Sequence, residues 1–231
     1  MSRPSFTTQF DRRTSSQALP PLSAASSMAH WRMTLPVLTG GRVTLRNLLR
    51  ADAAPLLGLL TTDEVTRFMS PPPTTVEGFK RFIAWADKHR AGGDYMCFAV
   101  VPRGGATAIG IIQVRQLEQG FRTAEWGFAL GQPFWGTGLF AEAAELVLAF
   151  AFDRVGVRRI EARAAVVNGR GSGALRKLGA CREATLRESF SCGSDRLDQG
   201  LWSILDKDWR RAKASRDRRA SSDGKAATLR H

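Results

Sequence analysis

The sequence predicts an α/β protein with a mixed, mostly antiparallel sheet of about seven strands and flanking helices. Two observations support this fold class. Patterned segments follow the order strand, two helices, three strands, helix, strand, helix, two strands. A meander of strands followed by a strand–helix–strand crossover produces a mixed sheet. In addition, residues 124–150 hold a strand-like run, a turn with two glycines and an apolar helix in immediate succession.

Length and composition indicate one folded domain with tails. The chain has 231 residues, of which 43% are hydrophobic, enough for a core of ordinary size. Residues 1–34 are rich in Ser, Thr, Pro and Ala and show no sustained period, so we expect a disordered basic extension there. We expect the folded domain over residues 35–209 and a basic, disordered tail over residues 210–231.

The net charge is concentrated at the ends of the chain. Residues 1–34 and 206–231 together carry 8 of the 13 net positive charges. Contact with RNA or a ribosome is one interpretation, and a solvated tail without a specific partner is the other. Neither tail interleaves aromatic residues with Lys or Arg, so stacking on bases is not indicated.

Several classes of protein have little support. No apolar run reaches the 18 or so residues of a membrane span, and Glu142 and Glu145 interrupt the nearest one. We therefore expect no membrane association. The three cysteines form no CxxC pair, and their odd number argues against a disulfide framework, which favours a cytoplasmic setting. The three histidines stand far apart, so no metal site is predicted.

The N-terminal part predicts one strand and two helices. Residues 41–47 alternate apolar and polar side chains, as a half-buried strand does. Asp52 is the expected cap of a short helix that carries four leucines. Thr74 and Glu77 have the spacing of a capping box, which predicts a second helix to about His89.

The middle of the chain predicts three strands in a meander, over residues 95–101, 107–116 and 122–130. The apolar helix follows, over about Leu139–Arg154, and Gly156 suits its left-handed end. A fifth strand over Arg159–Val167 would bury every second residue, including Val166.

The last part predicts a short helix, a hairpin and a final helix. A glycine-rich turn at residues 168–173 precedes the helix, Ala174–Leu178. The hairpin strands are expected at Cys181–Phe190 and about Leu197–Leu205, and residues 206–214 have a helical pattern.

The strand, glycine turn and helix of residues 124–150 predict an anion site. The first amides of a helix have no partner within it, and the helix dipole places partial positive charge there. A phosphate or pyrophosphate suits such a position. Gly136 and Gly138 would let the ligand approach the main chain without a Cβ in the way.

Short motifs occur along the chain in a fixed order. They are Arg42-Val-Thr-Leu-Arg46, Glu125-Trp-Gly-Phe-Ala-Leu130, Phe134-Trp-Gly-Thr-Gly-Leu139 with Glu142-Ala143, Val157-Arg-Arg-Ile-Glu-Ala-Arg163, Asn168 before Lys177-Leu-Gly179, Leu186-Arg-Glu188 and Asp198. In this order and spacing they resemble the GNAT superfamily of acyl-CoA-dependent N-acyltransferases. Within it they resemble the ribosomal-protein N-terminal acetyltransferases (RimJ/RimL-like). The resemblance covers about Val37 to Trp209.

The resemblance implies acetyl-CoA as the donor. It implies that the backbone of Phe128, Ala129 and Leu130 pairs with the pantetheine arm where two strands part. It implies that backbone amides hold the pyrophosphate, those of Trp135, Gly136, Thr137, Gly138, Leu139 and Phe140. Asn168 is expected to orient the cofactor or a water, the alternative being a plain helix cap.

Three positions depart from the family pattern. Phe140 stands where a small residue is usual at the helix start, and Gly171 stands where a serine is usual. Leu175 occupies the position at which many members carry a tyrosine that serves as general acid. We therefore expect water or the departing thiolate to take the proton.

The resemblance also suggests how the chemistry is divided. Transfer is expected by direct attack of a primary amine, with Glu125 as the first candidate base and Glu188 as the second. A salt-bridged structural role is the alternative for both. Four apolar side chains are candidates for the acceptor pocket, with a core role as the alternative: Phe68, Met69, Trp126 and Phe190.

The expected function is therefore acetyl-CoA-dependent N-acetyl transfer, most directly to a protein or peptide N-terminus. Two alternatives stay open: an enzyme that acetylates a small-molecule amine, and a degenerate CoA-binding domain without catalysis. Both a monomer and a homodimer are compatible with the sequence.

Overall fold

One eight-stranded sheet organises the computed structural model, which describes residues 31–215. Its strands are β1 (Leu38–Thr39), β2 (Val43–Asn47), β3 (Tyr95–Pro102), β4 (Gly110–Gln116), β5 (Thr123–Leu130), β6 (Arg159–Ala165), β7 (Cys181–Cys192) and β8 (Asp195–Leu205). They lie in the order β1-β2-β3-β4-β5-β6-β8-β7. The predicted mixed, mostly antiparallel α/β sheet is confirmed. The additional strand is β1, whose two residues are too few to give an alternating pattern.

The helices lie on both faces of this sheet. They are α1 (Ala53–Leu60), α2 (Asp63–Thr66), α3 (Val76–Gly92), α4 (Leu139–Phe150), α5 (Gly169–Lys177) and α6, residues 206–215. One buried cluster joins α4 to one face of the sheet, and a second cluster joins α1 and α3 to the other. Alternate residues of the central strands β3, β4 and β5 therefore face different helices.

The sheet has a single parallel pair, β5 and β6, and this pair comes apart. Residues are paired only from Thr123 with Arg159 to Glu125 with Glu161. Beyond Glu125, β5 stays paired with β4 as far as Leu130, while β6 follows β8. The edge of β5 that faces β6 is therefore open over its last five residues. This opening is the main consequence of the fold for function.

The start of α4 requires glycine. Gly138 is its N-cap with φ of 85°, and Gly136 in the preceding turn has φ of 76°. Side chains with a Cβ rarely adopt such values. The helix ends in a π-helical turn, Ala151–Val155, and Gly156 then has the predicted left-handed conformation with φ of 85°.

Two predicted helix caps are wrong. Asp52 does not cap α1 with its side chain, because its carboxylate accepts hydrogen bonds from the Arg46 guanidinium and from the Leu49 amide at 2.7 Å. The cap of α3 is Thr75 rather than Thr74, since the Thr75 hydroxyl accepts the Gly78 amide at 3.0 Å.

The region after β6 also differs from the prediction. The strand ends at Ala165, so Val166 is 42% exposed instead of buried. The helix α5 begins at Gly169, five residues earlier than predicted. Asn168 explains the early start, because its Oδ1 accepts the Gly171 amide at 2.8 Å and so caps a helix whose first turn contains two glycines.

The ends of the folded part need correction as well. Residues 31–33 are helical, and Trp31 is buried with its ring 5.5 Å from that of Phe121. Helix α6 extends to residue 215 at least, and its Trp209 is buried. The ordered chain therefore reaches into both predicted tails. The rest of those tails, residues 1–30 and 216–231, lies outside the described residues.

Within residues 31–215, no helix combines the length and apolarity that crossing a membrane requires.

Candidate active site

Unpaired amides surround the turn before α4. No acceptor within residues 31–215 receives the amide hydrogens of Gly136, Thr137, Gly138 or Phe140. The Trp135 amide differs, because it donates to the Gln132 carbonyl at 3.1 Å and is not available to a ligand. Four of the six amides predicted to hold an anion are thus unpaired, while the Leu139 amide lies 3.5 Å from the Thr137 hydroxyl oxygen.

The side chain of Phe140 turns away from this loop. Its ring packs against Phe128 of β5, with ring centroids 4.3 Å apart. The unusual residue therefore does not cover the amides. An arginine from β1–β2 reaches the loop instead, since Arg42 Nη1 donates to the Thr137 carbonyl at 3.1 Å.

Trp135 lies at the open edge of β5. Its Nε1 donates to the Leu130 carbonyl at 2.7 Å. The guanidinium of Arg170, in the first turn of α5, lies 4.1 Å from the centre of the Trp135 ring. Trp135, on the β5 side, and Arg170, on the α5 side, thus meet across the gap between these two elements. A ligand that pairs with Leu130 would have to displace the indole N–H.

A cleft occupies the space between β5 and β6. Its lining includes residues 125–129 of β5, the start of α5, the segment Phe68–Ser70 and Phe190. All four predicted pocket residues line it: Phe68, Met69, Trp126 and Phe190. Trp126 is also part of the core, because it is only 3% exposed and belongs to the cluster under α4.

Glu125 lies in the cleft and is salt-bridged there. Its Oε2 accepts a hydrogen bond from Arg115 of β4, and its Oε1 lies 3.8 Å from Nε of Arg163 of β6. The side chain is 14% exposed. Its position is therefore compatible with both interpretations. Glu125 belongs to an ion-pair network, as the structural role requires, and it lines the cleft, as a candidate base must.

Glu188 is not brought to the cleft. Its side chain is exposed, and it is not among the residues that line the cavity. It lies in an irregular stretch of β7, where the register shifts between Leu186 and Phe190. Its φ of 49° is uncommon for a residue with a side chain. Asp198 Oδ1 stabilises this conformation by accepting the Glu188 amide at 2.8 Å.

Asn168 and Leu175 both line the cleft from the α5 side. Asn168 is committed through Oδ1 to its helix cap. Gly171 is coupled to it, because a Cβ at Gly171 would lie 2.8 Å from Nδ2 of Asn168. A serine at this position would therefore need a different Asn168 conformation. Leu175 is 1% exposed and offers no hydroxyl.

The sequence interpretation missed a polar pair on the cleft floor. The hydroxyl of Tyr95 on β3 donates to Oε1 of Gln113 on β4, and both residues line the cleft. Burial raises the pKa of Tyr95 well above 10, so it stays a phenol. No local pattern pointed to this pair. Its one detectable sign was the two polar side chains at alternate positions, Gln113 and Arg115, on either side of Val114 in β4.

The cysteines and potential metal ligands add no further chemistry here. Burial raises the pKa of Cys97 to about 12, which keeps it a thiol. Within the described part of the chain, no three His, Cys, Asp or Glu side chains gather as a metal site would require.

Similarity to known proteins agrees with this geometry. Residues 42–180 match the family model described as "Acetyltransferase (GNAT) domain". The chain is 26% identical over 169 residues to the uncharacterized N-acetyltransferase p20 of Bacillus licheniformis, covering 73% of this chain and 95% of p20.

Two solved structures share the fold. The ribosomal-protein-S5-alanine acetyltransferase of Vibrio fischeri superposes with a TM-score of 0.68 at 18% identity, over 75% of this chain and 98% of that one. Mycobacterium smegmatis RimJ in complex with CoA-disulfide gives 0.64 at 19% identity, over 71% and 81%. The motifs, the parted strands and the family match lead to one conclusion: this chain belongs to the GNAT acetyltransferase family.

Proposed function

We propose that this protein transfers the acetyl group of acetyl-CoA directly to a primary amine at the N-terminus of a protein or peptide. Membership of the GNAT family supports acetyl transfer from acetyl-CoA. The acceptor is our inference. It rests on the resemblance to ribosomal-protein acetyltransferases, with the S5-alanine enzyme of Vibrio fischeri among the structural neighbours.

The open edge of β5 carries the cofactor part of the proposal. Its Phe128–Leu130 backbone is unpaired on the side of β6, and the unpaired amides of Gly136–Gly138 lie at the end of the same strand. A ligand with amides can add to such an edge as a strand does, and its phosphates would reach the helix start. When bound, acetyl-CoA supplies the activated acyl group.

The chain's own residues would accept the proton, orient the reacting groups and exclude water. Glu125 is our candidate to accept the proton of the attacking amine, directly or through water, since among residues 31–215 it is the one carboxylate lining the cleft. Asn168 orients groups at the α5 side. The apolar side chains Phe68, Met69 and Phe190 cover the acceptor and limit the access of water.

Isothermal titration with acetyl-CoA, followed by a CoA-release assay with an acceptor panel, tests the proposal. The panel pairs short peptides that carry a free N-terminus with the same peptides blocked at the N-terminus, and adds polyamines and amino acids. We expect micromolar binding and turnover only with free N-termini. Turnover with small amines alone would assign the enzyme to small-molecule acetylation. Binding without any turnover would make it a degenerate CoA-binding domain.

We further propose that the acetyltransferase domain covers residues 35–209 and extends to the buried Trp31 at one end and through α6 at the other. Cys97, Cys181 and Cys192 are all free thiols, which is compatible with a reducing cytoplasm as its setting. A contact of the basic tails with RNA or a ribosome predicts binding with steep salt dependence, which truncation to residues 31–215 would abolish.

A further inference from the structure

One side-chain amide on the cleft floor is held in place by a buried phenol. Gln113 is central in β4, and its Oε1 accepts the Tyr95 hydroxyl. Tyr95 is 3% exposed, and its ring packs edge-on against Trp85 with centroids 4.9 Å apart. Because a phenol donates its hydrogen to the amide oxygen, the amide nitrogen must face the other way.

That nitrogen lies directly over the backbone of β5. Gly127 is the cross-strand partner of Gln113, and a Cβ built on Gly127 would lie only 2.9 Å from Gln113 Nε2. Gly127 does not have a positive φ, so what a side chain here would meet is the Gln113 amide and not a strained backbone. Within residues 31–215, Nε2 donates no hydrogen bond. A donor is thus fixed and unused at this point.

Gly127 and the Gln113 amide lie close to the place where β5 and β6 part. Gly127 comes two residues after Glu125, the last residue of β5 that pairs with β6. Gly127 is three residues, or roughly 10 Å, from Leu130 along the strand. An acyl-pantetheine arm that enters at Leu130 and follows the open edge leads its thioester toward Gly127.

We infer that Gln113 Nε2 donates a hydrogen bond to the acyl oxygen of the thioester, with Tyr95 as the positioning residue that holds the amide. This inference rests on the proposed function. In the transfer, the amine nitrogen bonds to the acyl carbon and the carbon–sulfur bond breaks. The amine gives up its proton to Glu125, directly or through water, and the sulfur leaves with the bonding electrons and takes up that proton in turn. During attack the acyl oxygen gains negative charge, so a fixed donor stabilises it more than the ground state.

Titration of acetyl-CoA and of free CoA into matched variants tests the inference, because only acetyl-CoA has the acyl oxygen. Gln113→Glu keeps an acceptor for Tyr95 but has no donor. We expect it to weaken acetyl-CoA binding about threefold to tenfold while CoA affinity changes less than twofold. We also expect kcat to fall about 100-fold. Gln116→Glu, on the same strand but outside the cleft, should leave the affinity ratio unchanged.

Tyr95→Phe supplies a second test with Gln113 intact, and it decides the case if Gln113→Glu does not fold. Without the Tyr95 hydroxyl, the Gln113 amide is no longer held in place. The ratio of acetyl-CoA affinity to CoA affinity should then fall, as in Gln113→Glu, but by a smaller factor. If the ratio of acetyl-CoA affinity to CoA affinity is unchanged and the KM for the amine rises, the inference is overturned. Gln113 would then bind the amine acceptor and not the acyl oxygen. Wild-type protein that binds neither ligand would overturn the proposed function as well, before any variant is compared.

Discussion

Side chains in the cleft are held by partners distant in sequence. Glu125 meets Arg115 and Arg163, which lie on the two neighbouring strands. Directly across from it, Glu161 pairs with Arg159 at 2.7 Å and does not line the cleft. The two glutamates thus share strand position and ion pairing but differ in access to the site. This difference allows the role of Glu125 to be separated from its salt bridges.

We expect Glu125→Gln to lower kcat about 100-fold, because a neutral amide cannot accept the proton of the amine. Steady-state kinetics measures the effect, and thermal unfolding checks that the fold is kept. Glu161→Gln is the matched control and should keep kcat within about twofold. Full turnover by Glu125→Gln would remove this residue as the base.

At the level of elements, the start of α4 is tied to the β1–β2 turn. Glu142, in the first turn of α4, accepts the amides of Gly41 and Arg42. Gly40 must be glycine for this contact, since a Cβ there would lie 2.2 Å from Glu142 Oε1. The β1–β2 turn thereby stabilises the loop that we propose binds the pyrophosphate.

Gly138→Ala should reduce both stability and CoA binding. At φ of 85°, a Cβ costs about 1–2 kcal/mol, and here it would also lie 2.8 Å from Arg42 Nη1. We expect CoA affinity to fall about tenfold, as measured by titration. Gly120→Ala is the control, because Gly120 has φ of 85° and open space around it in the β4–β5 turn, at the opposite end of β5. Equal CoA affinity in the two variants would contradict the proposed phosphate site.

Arg170→Ala tests the contact across the cleft mouth. We expect an entering ligand to draw Arg170 away from the Trp135 ring, so that its guanidinium pairs with a phosphate beside Gly136–Gly138. We expect about fivefold to tenfold weaker CoA binding at low salt and a smaller difference at high salt. Arg176→Ala, on the exposed side of the same helix, should have little effect. Tighter binding by Arg170→Ala would identify the contact as a barrier instead.

For the whole molecule, the parted strands divide the sheet into two halves that meet only at three residue pairs. The second half ends in β7, whose side chains are mostly exposed. Ion pairing on the sheet surface links β7 back to β6, because Arg159 Nη1 donates to Glu183 at 2.9 Å. Ser203 of β8 donates to the same carboxylate at 2.5 Å.

This link predicts a pH dependence of stability. Hydrogen bonds from Arg159 and then Ser203 lower the pKa of Glu183 to about 2. A carboxylate with a pKa below its unfolded value of about 4.3 stabilises the fold above that pH, and the contribution is lost as pH falls toward 2. Because Glu183 is 39% exposed, we expect less than about 1 kcal/mol.

Thermal unfolding of Glu183→Gln and wild type between pH 7 and pH 2 measures this contribution. The difference in Tm should shrink below about pH 4 and approach zero near pH 2. Glu118→Gln, at an exposed turn position, should show no such trend. A difference that persists unchanged at pH 2 would assign the effect to packing instead of charge.

The sequence by itself determined the α/β class, the strand order along the chain and the glycine turn before α4. These follow from local rules: alternation marks strands, a 3.6-residue period marks helices, and paired glycines mark a turn that exposes amides. The family resemblance added the cofactor and directed attention to residues 125–140. One error was local, because Thr74 and Thr75 are neighbours that can each cap α3 and the sequence pattern favoured the wrong one.

Only the tertiary structure decided which side chains share the cleft. Tyr95 and Gln113 meet because the register of β3 and β4 pairs Tyr95 with Arg115 and Cys97 with Gln113, which makes Tyr95 and Gln113 diagonal neighbours on one face. Glu125 has two arginines because its neighbours come from separate strands, and Glu188 is excluded because an irregularity in β7 turns it outward. Register and strand parting depend on how distant segments pack, and no local pattern encodes them.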